Sequence, residues 1–222
     1  MAEVSAANCG LPFEDLHIPV AHTGRVHAWR IPAAMQSEKA VLVLQGNGYV
    51  LEGMICEEVS ALHEIGANVP IIDGRGYGFS TSISPDELSI VEDERAALEY
   101  LVRERNIAVR NLFMLGRSIG SGPAPELAYE TKALRGLILE SPFSSIEAAA
   151  PATFWFSRLY SLRLLLRTDF DNLSKIGSIR TPLLVVAGTA DALTPVPMAR
   201  ATFAMHVRRK NCTWSNRRIT MT

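Results

Sequence analysis

Five short apolar runs, residues 40–44, 68–72, 112–115, 137–139 and 183–186, each stop at small or turn-forming residues. The stops read Gln45-Gly46-Asn47-Gly48, Asp73-Gly74-Arg75-Gly76, Gly116-Arg117-Ser118, Glu140-Ser141-Pro142 and Gly188-Thr189-Ala190-Asp191. Short unbroken apolar runs suit strands buried on both faces, the condition inside a parallel sheet. Helical patterns lie between them. One carries Glu57, Val59, Leu62, His63 and Ile65; a longer one covers residues 85–105 and opens Ser84-Pro85-Asp86-Glu87. Proline at a first helical position is a helix entry signal. Residues 16–20 and 25–31 alternate apolar and polar around Thr23-Gly24, which predicts a hairpin at the sheet edge. Strand and helix in alternation give an α/β architecture, a mostly parallel sheet covered on both faces. Ligands of such sheets bind beyond the carboxyl ends of the strands, here the five punctuated stops.

The 222 residues suffice for one domain, 1–222, with a sizeable core. Hydrophobic residues at 48% against 20% charged fit a folded chain, and a net charge of -1 argues against nucleic acid as a partner. No run approaches the ~18 apolar residues of a membrane span, and Met1 to Gly10 lacks the basic start and apolar core of a secretory signal. The expected location is the cytoplasm. Cys9, Cys56 and Cys212 have no metal-ligand spacing, and their odd count suits reduced thiols. Neither a dinucleotide nor a P-loop glycine motif occurs. Residues 144–179 hold more apolar mass than a crossover helix needs, including Phe154, Trp155, Phe156, Leu159 and Tyr160. That stretch fits a buried helix pair or a small lid.

The most specific motif is Gly116-Arg117-Ser118-Ile119-Gly120, directly after a buried strand and before a helix. This is the pattern of a nucleophile elbow: small flanking residues let a strained turn pass close to its neighbours and expose the serine. The Ile119 N–H then points at the oxyanion of a tetrahedral intermediate, aided by the positive end of the following helix.

Gly116 to Pro123 and the words Asp73-Gly74-Arg75-Gly76-Tyr77-Gly78-Phe79-Ser80 resemble the α/β-hydrolase family over nearly the whole chain. They are similar to a branch of small single-domain serine hydrolases that includes depalmitoylating thioesterases. The resemblance implies an α/β-hydrolase fold, with Ser118 as nucleophile and acyl transfer to water from a carboxylic ester or thioester. It implies no metal or organic cofactor, and a small-molecule substrate. It places the second oxyanion donor at Asn47, with Gln45 standing where the family usually has histidine. Asp73 and Arg75 become a structural brace. Asp191, after the strand 183–186 and 73 positions past Ser118, becomes the acid that would orient a histidine. A helix cap ahead of Thr194-Pro195 is the other reading of Asp191.

The histidine is missing from its expected place. The resemblance puts it after one more strand, yet residues 211–222 contain none, and residues 211–218 show no buried period. The last strand is therefore expected to be absent. His17, His22 and His27 fall in or beside the hairpin and His63 on a helix. His206 falls on a helix over 197–209 and would have to swing across the strand ends. Back-translated from Lys210 and shifted by two nucleotides, permitted codons spell Lys-Leu-Tyr-Met-Val-Glu-Pro-Ala-Asp-His-Asn-Asp. That reads as a strand and a histidine-bearing turn; the code forces only the Leu and the last Asp. A non-catalytic relative binding a small acyl or apolar ligand is the competing expectation, and a truncated sheet acting through a partner is a third.

Overall fold

The computed structural model describes residues 10–20, 24–44, 55–153, 170–207 and 209–215. Its strands are β1 (Glu14–Val20), β2 (Gly24–Ile31), β3 (Ala40–Leu44), β4 (Val69–Asp73), β5 (Leu112–Arg117), β6 (Gly136–Glu140), β7 (Leu183–Gly188) and β8 (Arg209–Ser215). The helices are α1 (Ile55–Glu64), α2 (Glu87–Arg103), α3 (Pro123–Glu130), α4 (Ile146–Thr153), α5 (Asn172–Ile176) and α6 (Val196–Met205). One sheet takes the order β1-β2-β4-β3-β5-β6-β7-β8. The β1–β2 hairpin is antiparallel, sits at the edge and joins β4 antiparallel; every other pair is parallel. The α/β-hydrolase fold expected from the sequence is therefore present.

Side-chain alternation along the strands divides the core between the two faces. Ala40, Leu42 and Leu44 of β3 join Leu112, Met114, Leu137 and Leu139 in one cluster, covered by Val91, Leu98 and Leu101 of α2 and Leu127 of α3. Val41 and Val43 turn the other way, to Trp29, Ile31, Val69, Ile71 and Val59 of α1. All five β3 residues are buried, as a strand needs when helices pack on both sides.

Three expectations change. β8 exists: it pairs in parallel with β7 from Leu183↔Arg209 to Gly188↔Ser215. Pairing depends on backbone N–H and C=O groups, and the open edge of β7 presents a row of both. A segment without apolar alternation can therefore still close an edge. The long helix starts at Glu87, with Asp86 as its N-cap rather than Pro85 as its first residue. Asp86 accepts from Ser89 N at 2.9 Å while its own N–H donates to Ser89 Oγ at 2.8 Å. That reciprocal box satisfies two donors that proline at the helix start would leave to water. Finally α6 ends at Met205, so His206 caps a helix and leads into β8. The apolar residues 154–169 lie outside the described residues; α4 and α5 flank them.

The loop after β4 is braced by buried charge. Arg75 donates from Nε to Asp93 Oδ1 and from its backbone N–H to Oδ2, and from Nη2 to Glu92, tying the loop to α2. Asp73 instead meets His27 across the β2–β4 pair, Nδ1 to Oδ2 at 3.2 Å, while His27 Nε2 lies 2.6 Å from Asp15 Oδ1. A ring bonded through both nitrogens to carboxylates is satisfied as imidazolium. Burial works against that charge, yet the hydrogen bonds to Asp73 and Asp15 hold the His27 pKa above 6.5. On α2, Glu94 is buried and its Oε2 has no hydrogen-bond partner among the described residues. Burial, then the nearby Asp93 charge, pushes its carboxyl well above 4.5.

Both groups have the same sign. Each gives stability that is complete below its unfolded pKa, about 6.5 for His27 and 4.5 for Glu94, and lost as pH rises through the raised folded value. Urea midpoints taken at mildly acidic, neutral and alkaline pH should fall toward alkali, and Glu94→Gln should flatten that fall; parallel curves would refute the assignment. Asp93→Ala leaves Arg75 charged and buried without its main partner, so it should cost about 3–5 kcal/mol in the same experiment.

Candidate active site

β5 delivers the chain to the carboxyl edge of the sheet, and the turn there is as tight as the sequence predicts. A Cβ on Gly116 would lie 2.6 Å from Gly120 O and 2.8 Å from Ala124 Cβ, closer than atoms can pack. Only glycine lets the strand pass the helix here. Ser118 follows with φ 49°, in the left-handed region that a non-glycine residue adopts at a cost of about 1–3 kcal/mol. Ser121 Oγ donates to Ser118 O at 2.6 Å and fixes the turn. A 3-10 turn, Ser118–Ser121, then runs into α3 through Gly122. Gly122 is the second enforced glycine: its Cβ would fall 2.5 Å from the Phe170 ring. Ser118 stays half-buried, and the Ile119 amide is the next along the chain.

Asp191 stands in the turn after β7, at the same edge. β6 lies between the two strands, with Arg117↔Glu140 and Glu140↔Val186 in register. Two strand spacings put the β5 and β7 ends about 10 Å apart. The Asp191 carboxylate is tightly held. Oδ1 accepts from Leu193 N and Thr194 N, both at 2.9 Å. Oδ2 accepts from Ser141 Oγ and Thr194 Oγ1, both at 2.8 Å. A carboxylate offers about four acceptor positions, and these donors occupy all of them. The backbone contacts close the turn that leads to α6, whose N-cap is Pro195 with no side-chain cap hydrogen bond. The Ser141 contact crosses from the neighbouring strand and lies outside that turn.

Ser118, Ile119 and Asp191 are thus brought to one edge. Asn47 lies outside the described residues. Four histidines are described, and each is placed elsewhere. His27 sits between Asp15 and Asp73, with the His17 ring 5.3 Å away, and His63 Nδ1 contacts Pro32 O at 2.6 Å. His206 is buried with Nε2 2.9 Å from Thr181 O, at the amino end of β7 and so the far end from Asp191. It does not swing over the strand ends, because its ring is locked beneath them. Among the described residues no group of three or more His, Cys, Asp or Glu could hold a metal ion, and no helix is long and apolar enough to cross a membrane.

Sequence reading missed Ser141 and Phe170. Ser141 was visible as a strand-end residue before Pro142, but nothing in the sequence ties it to a side chain 50 positions away. Phe170 packs wholly buried against Gly122 and Phe143, with φ 47° and its N–H on Glu87 Oε2 at 3.1 Å. Its signal is hidden because it stands alone among polar residues, between Asp169 and Asp171.

Comparison with known proteins agrees with this architecture. The family model described as serine aminopeptidase, S33, matches residues 36–176. The uncharacterized protein Rv2307c of Mycobacterium tuberculosis is 32% identical over 199 residues, 88% of this chain and 68% of the relative. Alpha/beta hydrolase domain-containing protein 17C of Mus musculus is 29% identical over 174 residues, 77% of this chain and 51% of that protein, so the chain spans about half its length. Among solved structures, the Pyrococcus furiosus esterase Pf2001 superposes with a TM-score of 0.78 at 18% identity, covering 96% of this chain and 87% of the esterase. An alpha-beta hydrolase from Vibrio vulnificus gives 0.77 at 22% identity, covering 95% and 75%. With the elbow of Gly116 to Gly120, the eight-stranded sheet and a family match over residues 36–176, the chain belongs to the α/β-hydrolase family.

Proposed function

We propose that this chain is built as a cytoplasmic serine hydrolase that cleaves a small carboxylic ester or thioester through an acyl-enzyme on Ser118. The observation that carries the reading is Ser118 itself, held at φ 49° on a glycine-enforced elbow at the carboxyl edge of the sheet. Its Oγ would attack the acyl carbon while the carbonyl oxygen, gaining negative charge, takes hydrogen bonds from the backbone N–H of Ile119 and of Asn47. Collapse expels the alcohol or thiol, and water then releases the acid. Asp191 would orient and stabilise the base that accepts the Ser118 proton. Residues 1–222 form one domain in this reading, with the stretch 144–179 either a small lid or a buried helix pair. The branch containing depalmitoylating thioesterases is the nearest chemical analogy among the sequence motifs.

A second reading, a non-catalytic relative that binds a small acyl or apolar ligand, has its own support. All four acceptor positions of Asp191 are filled by this chain's donors, and the four described histidines have their contacts away from it. The two readings separate on one assay. Hydrolysis of a short-chain nitrophenyl ester by the folded chain should fall to the uncatalysed rate in Ser118→Ala; equal rates would favour the binder. The codon reading adds a sharper step. Exchanging residues 211–222 for Lys-Leu-Tyr-Met-Val-Glu-Pro-Ala-Asp-His-Asn-Asp should raise Ser118-dependent turnover by about 10²–10⁴-fold, the usual contribution of a general base. Replacing that histidine by Ala should remove the gain, and coding DNA that cannot encode it in the shifted frame would dispose of the idea.

A further inference from the structure

Ser141 is the first residue beyond β6, between the strand that carries Ser118 and the strand that leads to Asp191. It is 1% exposed and has φ 47°, the left-handed region again. Its N–H donates to Val186 O at 2.8 Å, which locks its backbone to β7. Its Oγ donates to Asp191 Oδ2 at 2.8 Å. A serine in this conformation is unusual because glycine adopts it without a steric cost. What glycine lacks is the hydroxyl.

We propose that Ser141 is the positioning residue of the acid, its hydroxyl holding Asp191 Oδ2 toward the Ser118 strand. The inference rests on the reading of Asp191 as the acid of a Ser118 hydrolase. The other three donors to Asp191 all come from its own loop, Leu193 and Thr194, and would travel with the loop if it shifted. Among the described residues that donate to this carboxylate, Ser141 alone ties it to a neighbouring strand end. In register, Arg117 pairs with Glu140, so Ser118 and Ser141 are the next residues of adjacent strands. The contact therefore transmits the position of β5 and β6 to the acid. It also leaves the carboxylate oxygen that faces β6 bound by hydroxyls, which can rotate, whereas the other is bound by amides, which cannot. An imidazole N–H arriving at Oδ2 can displace a hydroxyl; it could not displace a backbone amide without moving the loop.

Ser141→Gly separates this role from a structural one, because glycine relieves the left-handed backbone while the hydroxymethyl group, and with it the bond to Asp191, is removed. The readout is the rate at which a fluorophosphonate labels Ser118, beside nitrophenyl ester turnover and the melting temperature. The melting temperature should hold or rise. Labelling and kcat should fall about tenfold, the scale of one hydrogen bond to a charged group, with KM within about twofold. In an Asp191→Ala background the same Ser141→Gly change should alter the rate by less than about twofold, since its effect passes through the carboxylate. Parental labelling by Ser141→Gly overturns the proposal and leaves the Ser118 reading intact. Equal losses with and without Asp191 also overturn it, by showing that the serine acts on something else. A parent chain that is neither labelled nor active, matching Ser118→Ala, overturns both the Ser118 reading and the role assigned to Ser141.

Discussion

The chain crosses itself at the end of β5, and the site depends on how closely it does so. Gly116 runs so near Gly120 and Ala124 that no side chain fits, and Gly122 meets the Phe170 ring in the same way. Those two approaches force the turn that leaves Ser118 at φ 49°. Strain of that kind persists only when the surroundings over-determine it. Ser121 ties the turn from within. From outside, Lys175 of α5 reaches Glu126 of α3 at 2.7 Å and Glu87 of α2 at 3.7 Å, while Arg95 of α2 pairs with Glu130 of α3 at 2.9 Å. Each such part-exposed pair is worth only about 0–1 kcal/mol. Their use is geometric: they fix three helices around the elbow, and Phe170 fills the space between them.

The same carboxyl edge is braced at its other end by different chemistry. The loop after β4 has a close glycine approach of its own, since a Cβ on Gly76 would lie 2.8 Å from Ile83 O, and it adds Arg75 with Asp93 and His27 between two aspartates. Gly78 belongs to this brace, since a Cβ there would lie 2.0 Å from Asp73 Oδ2. Histidine is thus used structurally at His27, His63 and His206, each bonded to a carboxylate or a backbone carbonyl. A ring fixed in this way keeps its place in the fold only by staying where it is, which is why a count of histidines says little about catalysis.

Much of this was legible in the sequence, for identifiable reasons. Buried parallel strands announce themselves as unbroken apolar runs, and all five expected runs overlap β3 to β7. The elbow was legible because its steric demands fall on residues contiguous in the chain. β8 was not, since an edge strand needs only backbone donors and acceptors and Arg209 to Ser215 advertise neither burial nor alternation. The start of α2 was displaced by two residues, from Pro85 to Glu87, for a related reason: a proline and an aspartate in succession both signal a helix start, and the capping hydrogen bonds decide between them. The contacts of Asp191 with Ser141, and of Gly122 with Phe170, join residues about 50 positions apart. No local pattern encodes such a pairing.

Five non-glycine residues among those described adopt positive φ: Asn106, Ser118, Ala133, Ser141 and Phe170. Three of them belong to one small region. Ser118 and Ser141 end adjacent strands, and Phe170 packs on the glycine that starts the helix after Ser118. Left-handed backbone favours glycine sterically, so serine in that conformation points to a use for its hydroxyl. One serine is half-buried, and the hydroxyl of the other is bonded to a carboxylate. If Asp191 only closed the turn ahead of α6, the Leu193 and Thr194 amides would be sufficient. The cross-strand bond from Ser141 asks for a further reason, and the position of Ser118 on the next strand supplies one.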